Sequence, residues 1–130
     1  MSYELEVASY FGGFKTRVRS DENIGGYSVV TWDLNAVDPI SVEDSASEAD
    51  KSPCVGITGP GGITSGNHGF ILLYGFIENL DWAWTPQVPL YLIGTDGAMG
   101  EASVGAIHQQ VAVTITATKI FFNPQEAWAV

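Results

Sequence analysis

The chain has 130 residues, with fifteen Asp and Glu against five Lys and Arg for a formal net charge of -10. That length supports one domain with its own core, and the charge disfavours nucleic acid and anionic lipid as partners. The single cysteine, Cys54, excludes an intramolecular disulfide, and no window approaches the roughly 20 apolar residues of a membrane-spanning helix.

Residues 1–26 stand apart from the rest. They lack a basic stretch followed by an apolar one, so no secretory signal is expected and the chain is expected to be soluble and cytoplasmic at synthesis. Alternation is weak, Gly12-Gly13 and Gly25-Gly26 interrupt the segment, and three of the five basic residues fall here: Lys15, Arg17 and Arg19. In an extended backbone these three point to one side as a basic stripe. The segment reads either as a solvated edge strand or as an extended arm that grips an acidic partner. The expected division is an arm over 1–26 and a β-barrel-like domain over 27–130.

From Tyr27 the signals turn to β. "YSVVTWDL" (27–34) is rich in β-branched and aromatic residues and predicts a strand, closed by a turn at Asp38-Pro39. "SVEDSASEADKSP" (41–53) predicts a solvated loop or one or two helical turns, because serine and a terminal proline disfavour a regular element. "CVGIT" (54–58) predicts a buried strand, with Cys54 as a small core residue. "GPGGITSGNHG" (59–69) lacks the Gly-Lys-Ser/Thr ending of a phosphate-binding loop and predicts turns between strands.

"FILLYGFIENL" (70–80) predicts a strand with a bulge or bend at Gly75. Trp82 and Trp84 are expected to end one strand, since Pro86 and Pro89 cannot join a central ladder, and "PLYLIG" (89–94) to form the next, closed by an Asp96-Gly97 turn. "QQVAVTITATKIFFNP" (109–124) predicts a hairpin turning near Thr116–Thr118, with Val111, Val113 and Ile115 on one face and Ala112, Thr114 and Thr116 on the other. The tail that follows carries Trp128. Short strands at about ten-residue spacing define an all-β barrel or sandwich.

Residues suited to chemistry are sparse. His68 and His108 occur in no metal-binding spacing, one cysteine cannot build a thiolate site, and Ser65 has only His68 nearby in sequence as a base. Glu78, Asp81, Asp96 and Glu101 are the best candidates for the paired carboxylates of a glycosidase, but each falls at a turn. The acidic run at 43–50 lacks the spacing of a calcium loop. No enzyme, metal or cofactor is expected.

Four segments in order, "VGIT", "GF" before a run ending in tryptophan, "WTPQVPLYLIGTDGAMGEAS" and "HQQVAVTITATKIFFNP", give residues 54–124 a pattern. The pattern resembles small head-decoration (capsid cement) proteins of tailed bacteriophages and related β-modules of their tail fibres. Pro89 stands where that plan usually has glycine. The resemblance implies a small β-barrel or β-tulip-like domain of short strands with an extended N-terminal arm. It implies a homotrimer on the virion surface, bound to the major capsid protein, with no catalytic residues. The arm residues expected to contact the capsid are Tyr3, Leu5, Val7, Tyr10, Phe11, Lys15, Arg17 and Arg19. The aromatics expected in the core or between protomers are Trp82, Trp84, Tyr91 and Trp128. In the alternative, a tail-fibre module, Trp82, Trp84 and Tyr91 would stack on host sugars.

Overall fold

The structure is a computed structural model that describes residues 11–38 and 40–129. Eleven strands occur among the described residues: β1 (Phe11–Ser20), β2 (Val29–Trp32), β3 (Ser41–Asp44), β4 (Gly56–Thr58), β5 (His68–Glu78), β6 (Pro89–Leu92), β7 (Met99–Gly100), β8 (Ile107–His108), β9 (Gln110–Thr114), β10 (Lys119–Phe122) and β11 (Trp128–Ala129). One 3₁₀ turn at Ala49–Lys51 is the only helical element among them. The chain is an all-β domain.

Nine strands form one sheet in the order β1-β3-β2-β4-β5-β10-β9-β6-β7, and β1 also pairs with β5. That extra pairing closes β1, β3, β2, β4 and β5 into a ring, the arrangement that removes free edges from a small barrel. β10, β9, β6 and β7 extend from the ring as an antiparallel wing. β5 makes both possible: it pairs with β1 along nearly its whole length, with β4 at Ile71 and Leu72, and with β10 from Gly75 to Glu78.

Two apolar cores result. Val18, Val30, Val42 and Ile71 form one with Ile24 and Ile63. Val29, Ile57 and Leu72 form the other with Leu90, Leu92, Val111, Ile120 and Phe122 from the wing. Neighbouring residues of one strand, such as Val29 and Val30 or Ile71 and Leu72, thus serve different cores. Around Val29–Val30, Gly56–Ile57 and Ile71–Leu72 the wall β2-β4-β5 is buried on both faces, which explains why its sequence is apolar there without alternating.

Several expectations hold. β2, β4, β6 and the β9–β10 hairpin lie where the sequence places them, and Gly97 (φ 75°) turns the chain in a Thr95–Ala98 turn closed by an Ala98 N–H to Thr95 C=O bond of 3.1 Å. The irregularity in β5 is real: Phe14 pairs with Tyr74 but Lys15 with Leu72, and Gly75 adopts φ 141°.

Others are corrected. Residues 11–20 are not a separate arm. They are β1, with Val18 and Ser20 buried, and Ile24 beyond them is buried too; long-range pairing supplies the order that local alternation does not show. Residues 41–47 are not a solvated loop. Ser41–Asp44 is a sheet strand, and Ser45, Ala46 and Ser47 are buried. The serines tolerate burial because Ser45 Oγ donates to the Lys51 carbonyl at 2.7 Å and Ser47 Oγ to the Val104 carbonyl at 2.5 Å. In β9 it is Ala112 and Thr114 that point inward, whereas Val113 and Ile115 are exposed. Thr114 is satisfied there by donating to the Thr85 carbonyl at 2.6 Å and accepting the Val88 N–H at 2.9 Å. Trp82 and Trp84 lie in the irregular segment after β5, not at a strand end.

Two tests probe this architecture. A Cβ at Gly13 would collide with the Tyr74 carbonyl oxygen, whereas one at Gly61 meets nothing within 4 Å. Gly13→Ala should therefore destabilise by about 2 kcal/mol or more in urea unfolding, with Gly61→Ala near neutral as control. Removing residues 1–20 deletes β1 and should abolish cooperative unfolding, while removing residues 1–10 should preserve it; circular dichroism melts distinguish the two.

Candidate functional site

Four aromatic rings form a continuous cross-strand chain on one face of the sheet. Phe14 of β1 lies opposite Tyr74 of β5, with ring centroids 6.1 Å apart. Tyr74 meets Phe121 of β10 edge-on at 5.0 Å, and Phe121 meets Phe76 at 5.0 Å. Val113 of β9 pairs with Phe121 and extends the row, with Ile115 two residues on. Phe14 is 71% exposed, and Tyr74, Phe76, Val113 and Ile115 are exposed as well. Phe121, between them, is half-buried, so the rings gain from mutual contact while each of the other three keeps a substantial part of its surface in water. A contiguous apolar surface of this kind marks an interaction site.

β1, beside this face, has a second open feature. β3 pairs with it only at Arg19 and Ser20, so Phe11–Val18 have no second sheet neighbour among the described strands. Along this edge Arg17 is exposed, Lys15 sits 5.9 Å over the Phe70 ring, and Arg19 is ion-paired with Asp21. The basic stripe expected from the sequence is therefore partly spoken for. Tyr3, Leu5, Val7 and Tyr10 lie outside the described residues, and Phe11 is placed as the first residue of β1, opposite Ile77.

The other expected aromatics divide into two groups. Trp82 packs edge-on against Tyr27 at 5.2 Å and lies 6.1 Å from Trp84, all three leaning on the wing-side core. The Trp84 indole N–H is buried without a hydrogen-bond partner among the described residues. Tyr91 instead contacts His108 at 5.2 Å, and His108 stacks on Trp128 at 5.2 Å with planes 25° apart. Trp82, Trp84 and Tyr91 do not form one platform. The sequence reading missed the Phe14–Tyr74–Phe121–Phe76 face, although the run "YGF" and the pair "FF" carry it; which of those rings point outward depends on the bulge in β5.

Four of the polar candidates are engaged by neighbouring groups. Ser65 Oγ donates to the Asp21 carbonyl at 2.8 Å, Glu78 accepts the Thr118 hydroxyl at 3.0 Å, Glu101 accepts the Thr85 N–H at 2.8 Å, and Asp96 pairs with Lys51 at 2.9 Å. Burial pushes the Cys54 thiol up to about 12, so it stays protonated and unreactive at neutral pH. Among the described residues no group of three His, Cys, Asp or Glu could hold a metal ion.

The acidic run is not merely solvated. Burial, followed by Asp33 and Glu22, raises the carboxyl of Glu43. Burial, then Glu22 and Asp96, pushes Asp44 up to about 6, with Lys51 opposing, and Asp44 Oδ1 is buried without a hydrogen-bond partner among the described residues.

No family model matches the chain, and neither does any curated protein or solved structure.

The Asp44 environment gives a pH prediction. The folded state holds this proton more tightly than the unfolded chain, where it titrates near 3.8. Its stabilising share is complete below that value and is lost as pH rises through about 6. Discounted for the solvent-facing part of the group, the effect is about 1 kcal/mol. Asp44→Asn should raise Tm at pH 7 by about 3 °C and flatten the decline between pH 4 and 7 in thermal melts.

Proposed function

We propose that this chain is a structural protein of a tailed-phage virion, a decoration protein that binds the major capsid protein and stabilises the assembled shell, acting as a homotrimer. The observation that carries this reading is the Phe14–Tyr74–Phe121–Phe76 face, with Phe14, Tyr74 and Phe76 exposed, beside the edge of β1 that has no second neighbour among the described strands. A protein that works by adding contacts needs surface, and the domain displays apolar surface on rigid strands.

The energetics suit that role. A ligand that binds only the assembled lattice shifts the assembly equilibrium by mass action. Aromatic rings supply large contact area with little side-chain entropy to lose, and an open strand edge can accept main-chain hydrogen bonds from a partner strand. The net charge of -10 keeps free subunits apart and soluble before assembly. The tail-fibre reading lacks comparable support, because its three sugar-stacking aromatics fall into separate clusters.

The test is co-sedimentation with capsids stripped of decoration protein. Wild type should pellet with them, and Phe76→Ser with Tyr74→Ser should weaken binding at least tenfold while the melting transition stays cooperative. A folded double variant that binds as wild type would overturn the proposal.

A further inference from the structure

A cleft of about 600 Å³ lies on the domain, bounded by residues 52–55, Leu73, Ile107, Gln109 and the tail 123–129. It is separate in composition from the aromatic face, sharing none of those rings. Its size falls within the usual range of small-molecule sites.

The frame of the cleft is tied together. The Gln109 carboxamide is buried; its oxygen accepts the Cys54 N–H at 2.7 Å, and its nitrogen donates to the carbonyls of Cys54 at 3.0 Å and Gln125 at 2.9 Å. One side chain thus joins the 52–55 segment to the tail. Backbone bonds from Asn123 N–H to Val111 C=O and from Gln125 N–H to Gln110 C=O, both 2.8 Å, anchor the tail further. Trp128 at the lip is 57% exposed, yet its position is set by the β11–β8 pairing and by the stack on His108. An ordered indole with this much free surface is a ready contact for a ligand.

The lining has a definite chemical character. Pro53, Val55, Leu73, Ile107 and Pro124 are apolar; Glu126 is the only charged residue, and no Lys or Arg lines the cleft. The Glu126 carboxylate has no ion pair or hydrogen bond with any described residue. The whole chain is strongly anionic, which raises the local concentration of cations.

We propose that this cleft binds a small amphipathic cation, an apolar ring or chain carrying an alkylammonium group. The apolar body occupies the space over Leu73 and Ile107, while the ammonium lies between Glu126 and the Trp128 indole, where carboxylate attraction and cation–π attraction add. The proposal stands independently of the virion reading.

Titration calorimetry on the full chain tests it, with phenethylammonium as the probe and phenethyl alcohol and phenylacetate as neutral and anionic comparators. Phenethylammonium should bind saturably, the alcohol about fivefold more weakly or worse, and phenylacetate not at all. Glu126→Gln should bring the ammonium down to the alcohol's affinity, and Trp128→Ala should weaken both probes. Both positions are exposed, so the variants should keep wild-type melts, and a variant that unfolds is replaced by Trp128→Leu or Glu126→Ser for the same comparison. The proposal is overturned if phenethylammonium shows no saturable binding, if the alcohol binds equally well, if Glu126→Gln has no effect, or if methyl glucoside binds in place of the ammonium.

Discussion

β5 has to find hydrogen-bond partners on both edges and apolar neighbours on both faces, and the rest of the domain is arranged around that demand. Eleven residues long, it is the longest of the described strands, with β1 next at ten, and it spends its two ends on different neighbours: β4 toward the start and β10 toward the end, with β1 along the opposite edge. A straight, regular strand could not serve a closed ring and an open wing at once. Leu73, skipped between the Phe14–Tyr74 and Lys15–Leu72 pairs, and the glycine at φ 141° supply the change of direction. Bulges are the standard means of bending a strand without losing its ladder.

Two cores back to back leave little room for large side chains where ring and wing meet. Small residues fill that seam. A Cβ on Gly56 would press on the Ile71 side chain, and buried Ser45, Ala46 and Ser47 lead from β3 toward the wing, with the Ser47 amide bonded to the Ile93 carbonyl at 2.8 Å. Polar atoms at the seam are tolerated because each hydroxyl has a nearby carbonyl to donate to. Gln109 does the same on a larger scale, splicing two chain segments with one carboxamide.

The scaffold leaves two surfaces with different chemistry. The aromatic face is broad, apolar and built from central positions of strands, which suits a protein partner. The cleft is concave, framed by the tail, and carries one carboxylate, which suits a small cationic ligand. Neither surface depends on a reactive side chain. The one thiol is buried and protonated, and Glu78, Asp96 and Glu101 each bind a different partner: Thr118, Lys51 and the Thr85 N–H.

How much of this was readable beforehand varies by element. The β9–β10 hairpin, β4 and β6 were legible because β-branched runs bounded by turn residues encode them locally. The faces of β9 were not: Thr114 goes inward since the loop at 85–88 offers its hydroxyl two partners, a fact about a segment nearly thirty residues away. β1 and β3 were hidden for a related reason, as glycine, lysine and serine become strand residues only when a ready-made edge pairs with them. By itself, the sequence determined an all-β domain, its turns, its anionic character and the absence of a disulfide, because propensity and charge are local or additive properties. Only the tertiary structure decided that residues 11–20 belong to the sheet, which aromatics meet water and where the cleft opens, because a strand's face and edge are set by what it pairs with.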